Sequence, residues 1–139
     1  MQLPKIRCYN GTTPENGFYV LSKGENAGKP LRTPCPNCFT LSCASAEEKE
    51  YWYWLCWGLW SSKVFHGHLV GSVVPFIRLS ELQLVLIESS LTTFEQPETL
   101  SKAIKTMQDI ERYEQQSKQK LALLAQLKIT VFRKVLSRV

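Results

Sequence analysis

The chain has 139 residues, 44% of them hydrophobic and 21% charged, which suits one domain and is too short for a second full core. Seven Gly and seven Pro exclude collagen-like, disordered and low-complexity classes, and a net charge of +5 argues against an acidic DNA mimic. The longest strongly apolar run, residues 51–60, is about half of a membrane span. No charged segment ahead of an apolar core marks an export signal, and five cysteines are an odd number that favours reduced thiols. A cytoplasmic protein is therefore expected.

Residues 1–45 are punctuated by turn formers, among them Asn10-Gly11, Asn16-Gly17, Lys23-Gly24 and Pro34-Cys35-Pro36-Asn37. Apolar runs at 18–21 and 39–41 lie between them, the pattern of short strands and tight turns. Ser45 followed by Glu47 and Glu48 supplies an N-cap with carboxylates in the first turn. A helix is predicted over 50–64, and it holds all four tryptophans, Trp52, Trp54, Trp57 and Trp60. Tyr53, Trp57, Trp60 and Val64 share one face while Leu55, Cys56 and Leu59 fill another, so this helix is apolar nearly all round and belongs in the core. After His66-Gly67-His68, residues 80–87 form a run rich in Leu, Val and Ile that fits a strand or a short helix.

Beyond Pro97 there is no further Gly or Pro, as a long helix requires. Leu100, Ile104, Met107, Ile110, Tyr113, Ser117, Leu121, Leu124, Leu127, Val131 and Val135 recur at three- and four-residue steps. A helix over 98–137 spans roughly 60 Å at 1.5 Å per residue, more than a domain of this size covers with its own core. Its apolar stripe asks for a partner, another chain or a second copy. The expected fold class is α+β. A small globular module of short strands and a buried Trp-rich helix occupies 1–96, followed by one long C-terminal helix over 97–139 for dimerisation or partner binding.

The charge is unevenly placed. Residues 1–45 carry five basic and two acidic groups, residues 46–97 three and six, and residues 98–116 three and four. Residues 117–139 carry Lys118, Lys120, Lys128, Arg133, Lys134 and Arg138 and no acid. A helix dipole favours cations at its C-terminus; the same six are also a candidate phosphate-contacting tail.

Catalytic signatures are missing: there is no GxSxG, HExxH or paired-carboxylate motif, and Asp109 is the only aspartate. Residues 23–30 approximate a phosphate loop, but Pro30 stands where a Ser or Thr belongs. Neither an enzyme nor a cofactor is expected. Cys35 and Cys38 form a CxxC, the weak candidate for a metal, with Cys43, His66 or His68 to complete a tetrahedral zinc site. A redox CxxC normally opens a helix, whereas this one lies in a proline-flanked turn. Zinc, redox and purely structural readings all stay open. The tryptophan helix is either core or a stacking surface for unpaired bases, and Lys23, Lys29, Arg32, Lys63 and Arg78 are either scattered surface charges or phosphate contacts.

From residue 48 onward four motifs follow in order. The aromatic helix Tyr51-Trp52-Tyr53-Trp54-Leu55 continues to Leu59-Trp60-Ser61-Ser62, and Gly71-Ser72-Val73-Val74-Pro75-Phe76-Ile77 follows. Then come Leu79-Ser80-Glu81-Leu82 and Phe94-Glu95-Gln96, the latter opening a long helix whose ending runs from Leu121 through Leu124-Ala125-Gln126-Leu127-Lys128-Ile129-Thr130-Val131-Phe132. This order resembles the target-recognition half of a type I restriction–modification specificity subunit, a resemblance that implies a strand over residues 71–77. Residues 26–39 together with residues 71–77 are also similar to small uncharacterised proteins of Bacteroidetes mobile elements.

The specificity-subunit resemblance implies a module that reads duplex DNA through its loops, with Lys23, Lys29, Arg32, Lys63, His66, His68 and Arg78 as candidate contacts. It also implies a homodimer through an antiparallel helix pair, closed by a two-fold axis, or pairing with a methyltransferase or specificity subunit. The alternative is an adaptor or competitor subunit of the same fold that does not bind DNA, favoured by the zero net charge of residues 1–97. A third reading, a small zinc-binding regulator, rests on Cys35 and Cys38.

Overall fold

Short apolar runs between turns build a four-stranded antiparallel sheet, β1 (Lys5–Cys8), β2 (Gly17–Leu21), β3 (Pro30–Leu31) and β4 (Cys38–Ser42), in the order β1-β4-β2-β3. The computed structural model describes residues 1–93 and 95–139; Phe94, which stands in the fourth motif above, lies outside the described residues. β4 runs through the middle, pairing Lys5 with Ser42 on one side and Leu21 with Cys38 on the other. Phe18 faces Leu41 and Val20 faces Phe39 across β2 and β4, so these four share one face, and all are buried. β1 escapes the sequence pattern because Lys5-Ile6-Arg7-Cys8 is an edge strand with little apolar surface. Pro30 is tolerated in β3 because that strand is the opposite edge, where a missing N–H costs no ladder bond.

The Ser45 hydroxyl accepts from the Glu48 amide at 3.1 Å and starts α1 at Ala46, one turn before the expected residue 50. The helix ends at Ser61 rather than 64, since Lys63 adopts a left-handed φ of 60° and a 3₁₀ turn, Val64–His68, follows. Residues 51–56 are buried without interruption, as a helix apolar on all sides should be. α1 packs on β2, β3 and the 3₁₀ turn.

The run at 80–87 is helical and longer than expected, α2 (Leu79–Thr93). Its buried residues Leu82, Val85 and Leu86 follow helical spacing, whereas strand alternation would also have buried Leu84, which is 45% exposed. Residues 71–77, read as a strand through the resemblance, instead form a loop. Val70 and Phe76 bridge its neck through mutual N–H···O bonds of 2.9 and 2.8 Å, and Val73 at its tip is 91% exposed. Gly71, with φ of 106°, permits the reversal.

α3 (Pro97–Leu136) spans 40 residues and buries none of them fully. Fold and class are thus α+β, with a buried Trp-rich helix and a long C-terminal helix. The chain divides into two compact units, Met1–Leu100 and Ser101–Val139. Among the described residues, no helix is long and apolar enough to cross a membrane.

Gly28 shows how tightly the first unit closes. Its φ is 97°, and a Cβ there would overlap the ring of the fully buried Phe65. Gly24 has the same φ but open space around it. Gly28→Ala should therefore cost about 2–4 kcal/mol in urea unfolding, from left-handed strain plus overpacking, and Gly24→Ala only about 1 kcal/mol.

Candidate functional site

Two of the loop cations converge on one face of α1. The Arg32 guanidinium lies 3.6 Å from the Tyr53 ring centroid and grips Glu50 with both ends, at 2.7 and 3.2 Å. Glu50 also accepts from Trp54 Nε1 at 3.1 Å. Lys29 Nζ sits 5.1 Å from the centroid of Trp60. A bidentate, stacked arginine is held in one geometry, so Arg32 pins the start of the β3–β4 connection to α1 and its charge is met by Glu50. Glu50 and Trp54 stand four residues apart on α1, a spacing legible in sequence, but their arginine comes from 18 residues upstream.

The other candidates lie apart from this pair. His68 Nδ1 is 2.9 Å from Glu81 Oε2, joining the 3₁₀ turn to α2, while His66 is exposed. Lys63 is exposed at the left-handed residue before that turn. Lys23 forms a backbone bridge to Phe76, and Ile77 N–H donates to the Ser22 carbonyl at 2.9 Å, which sets the Lys23 and Arg78 segments side by side. The glycine loop at 23–30 spends its amides internally: Gly24, Ala27, Gly28 and Lys29 donate to the carbonyls of Pro75, Gly24, Leu21 and Asn26. It is a closed turn rather than an anion cradle.

All five cysteines carry free thiols. Cys38, at the start of β4, donates from Sγ to the Cys35 carbonyl at 2.9 Å and receives the Cys35 N–H at 3.5 Å. Among the described residues, no cluster of three or more His, Cys, Asp and Glu side chains is arranged to hold a metal, so neither Cys43 nor either histidine joins this pair. Burial, reinforced by the Glu48 carboxylate, pushes the Cys43 thiol up to about 11. Burial raises the Cys56 thiol further still.

α3 carries the largest apolar exposure. Leu100, Ile104 and Met107 are half-buried, but from Ile110 onward the predicted stripe is open. Ile110, Tyr113, Leu121, Leu124, Leu127, Val131 and Val135 range from 46% to 69% exposed. Residues 6–134 match DUF6943, a family of unknown function. The chain belongs to DUF6943. No curated protein and no solved structure matches it. The family match runs through the sheet, α1, α2 and nearly all of α3, so the module and the long helix belong to one family pattern.

Two outcomes follow for this DUF6943 chain. Arg32→Lys keeps the charge but loses the fork and the stack, and should lower stability by about 1 kcal/mol, given that the pair is partly exposed. Cys43 and Cys56 have folded pKa values above those of the unfolded chain, so their contribution is complete below the ordinary thiol range of about 8.5. It is lost as pH rises from there through 11. Guanidinium midpoints should fall over that window, and less steeply in Cys43→Ser.

Proposed function

We propose that the chain is a non-enzymatic assembly protein that pairs with a second copy of itself along α3. The observation that carries this reading is the open stripe from Ile110 to Val135. Apolar surface left in water forgoes about 25 cal/mol per Å², and a long helix takes most of its stability from packing its apolar face. Free thiols at all five cysteines suit a reducing compartment, which favours a cytoplasmic site of action.

Charge inside the stripe favours an antiparallel pair. On a strict heptad the seam runs Leu100, Ala103, Met107, Ile110, Glu114, Ser117, Leu121, Leu124, Lys128, Val131, Val135, a repeat that a left-handed supercoil keeps facing its partner. Parallel pairing would set Glu114 on Glu114 and Lys128 on Lys128 within an apolar seam. The open part of the seam is centred between Leu121 and Leu124. A two-fold axis there lays Ile110 on Val135 of the second copy, Leu121 on Leu124, and Ser117 on Lys128, with Glu114 one turn from that lysine.

A second reading adds duplex DNA as a ligand. It is favoured by the six cations without an acid over 117–139 and by the resemblance to restriction specificity modules. In it, Lys23, Lys63 and Arg78 position phosphates and loop residues read base edges.

Light scattering at micromolar protein should give twice the 15.9 kDa chain mass, and Leu124→Glu should give the single-chain mass with a weaker helical far-ultraviolet signal as the unpartnered end of α3 loosens. Glu114→Lys and Lys128→Glu should each weaken pairing about tenfold, roughly 1.4 kcal/mol, and the charge-swapped double variant should recover it. A wild-type monomer sinks the assembly reading; a dimer indifferent to the single substitutions sinks only its orientation. Mobility shifts on a random duplex pool at two salt concentrations test the second reading, with each chain whose six tail cations meet phosphates adding about −5 to the slope of log K against log salt. An unshifted duplex at low salt removes DNA and leaves assembly.

A further inference from the structure

We propose that Cys35 and Cys38 are a reversible dithiol site, oxidised to an intramolecular disulfide by a low-molecular-weight disulfide of the glutathione class. The chain bends at Pro36 and Asn37, which folds the turn around the Cys38 sulfur. Sγ of Cys38 donates to the Cys35 carbonyl at 2.9 Å while the Cys35 amide points at that same sulfur from 3.5 Å. Pro34 and Pro36 fix φ on either side of Cys35, so part of the entropy of bringing the two sulfurs together is already spent in the reduced protein.

Exposure divides the roles. Cys35 is half-buried and reachable from solvent, whereas Cys38 is 4% exposed and sits in the middle strand of the sheet. Its carbonyl is held by the Tyr9 amide at 3.0 Å. In the first step the Cys35 thiolate attacks one sulfur of the small disulfide, forming a mixed disulfide and releasing one thiolate. In the second, the Cys38 sulfur attacks Sγ of Cys35 and expels the second small thiolate, and the protons given up by the two cysteines pass through solvent to the two released thiolates. Two protein thiols are oxidised and one small disulfide is reduced to two thiols. Burial raises the Cys38 thiol above its ordinary range, which leaves the more exposed Cys35 to make the first attack. The remaining three cysteines do not share this turn: Cys8 is exposed on an edge strand, Cys43 is half-buried just past β4, and Cys56 is fully buried in α1.

The test uses the full chain with Cys8→Ser, which removes the most accessible competing thiol. The protein is equilibrated with mixtures of glutathione and glutathione disulfide, quenched with acid, alkylated, and mapped by mass spectrometry. The expected result is a Cys35–Cys38 linked peptide, no retained glutathione, and full reversal by dithiothreitol. Adding Cys38→Ser should instead trap a glutathione adduct on Cys35, and adding Cys35→Ser should abolish uptake at this turn. An adduct that persists on Cys35 while Cys38 stays free in the Cys8→Ser protein would overturn the proposal. So would thiols that stay reduced in excess glutathione disulfide while the denatured chain oxidises, or stoichiometric zinc released from the purified protein on alkylating the pair. The Cys8→Ser map decides the matter even if either added substitution fails to fold.

Discussion

Residues 51–56 of α1 are buried one after another, which leaves that stretch of helix no solvent side and obliges the rest of the first unit to surround it. The aromatic rings bring polar tips that must be met inside. Trp52 Nε1 donates to the Gln2 carbonyl at 3.1 Å, drawing the N-terminal segment to the helix. Tyr51 Oη lies 2.8 Å from Thr93 Oγ1 at the far end of α2, and Trp54 Nε1 reaches Glu50, which in turn holds Arg32. Apart from the Trp54–Glu50 bond within α1, each is local in chemistry and remote in sequence. The sheet supplies the apolar cover, with Phe18 edge-on to Tyr53 at 5.6 Å, and the polar tips fix which segment covers which side.

That dependence explains what the sequence makes legible and what it hides. Elements whose burial follows one simple period can be read directly: β2 and β4 as short apolar runs, α3 as a mostly apolar stripe free of Gly and of Pro after Pro97, whose ends fall within a residue of expectation. α2 is ambiguous because a short run of Leu, Val and Ile carries no period of its own, and the tertiary choice to leave Leu84 outside settles it. β1 is nearly unreadable because an edge strand needs only one apolar position, Ile6, between charges. The loop at residues 71–75 has strand composition and turn geometry, and Gly71 decides in favour of the turn.

The candidate site divides in the same way. The stripe on α3 and the Cys35–Cys38 pair are spaced within one helix or one turn, so residue spacing exposes them. Arg32 reads as a surface cation until Glu50 and Tyr53 arrive from 18 and 21 residues later in the chain, and His68 until Glu81 arrives from α2. Charge counts cannot separate a cation awaiting a phosphate from one already answered by a carboxylate. The fold separates them: Arg32 is answered, while Lys23, Lys63 and Arg78 stand exposed.

α1 and the last third of α3 obey one sequence rule and meet different ends. Both carry apolar residues around most of the helix. In α1 the sheet, the 3₁₀ turn and α2 close over them, but in α3 Leu123 and Ile129 are 64% and 53% exposed. At 100° per residue these two lie about 120° to either side of the seam centred on Leu121 and Leu124. The single partner helix proposed above would cover the seam and leave both flanks in water. Lys120, Lys134 and Arg138 share the Leu123 flank, and Lys118 and Arg133 the Ile129 flank, so their aliphatic stems can shield the apolar groups while their charges stay solvated. In the proposed pair, the absence of acid over 117–139 would have a role without any ligand: like charges along both flanks would resist the addition of a third and fourth helix and so hold the assembly at two chains.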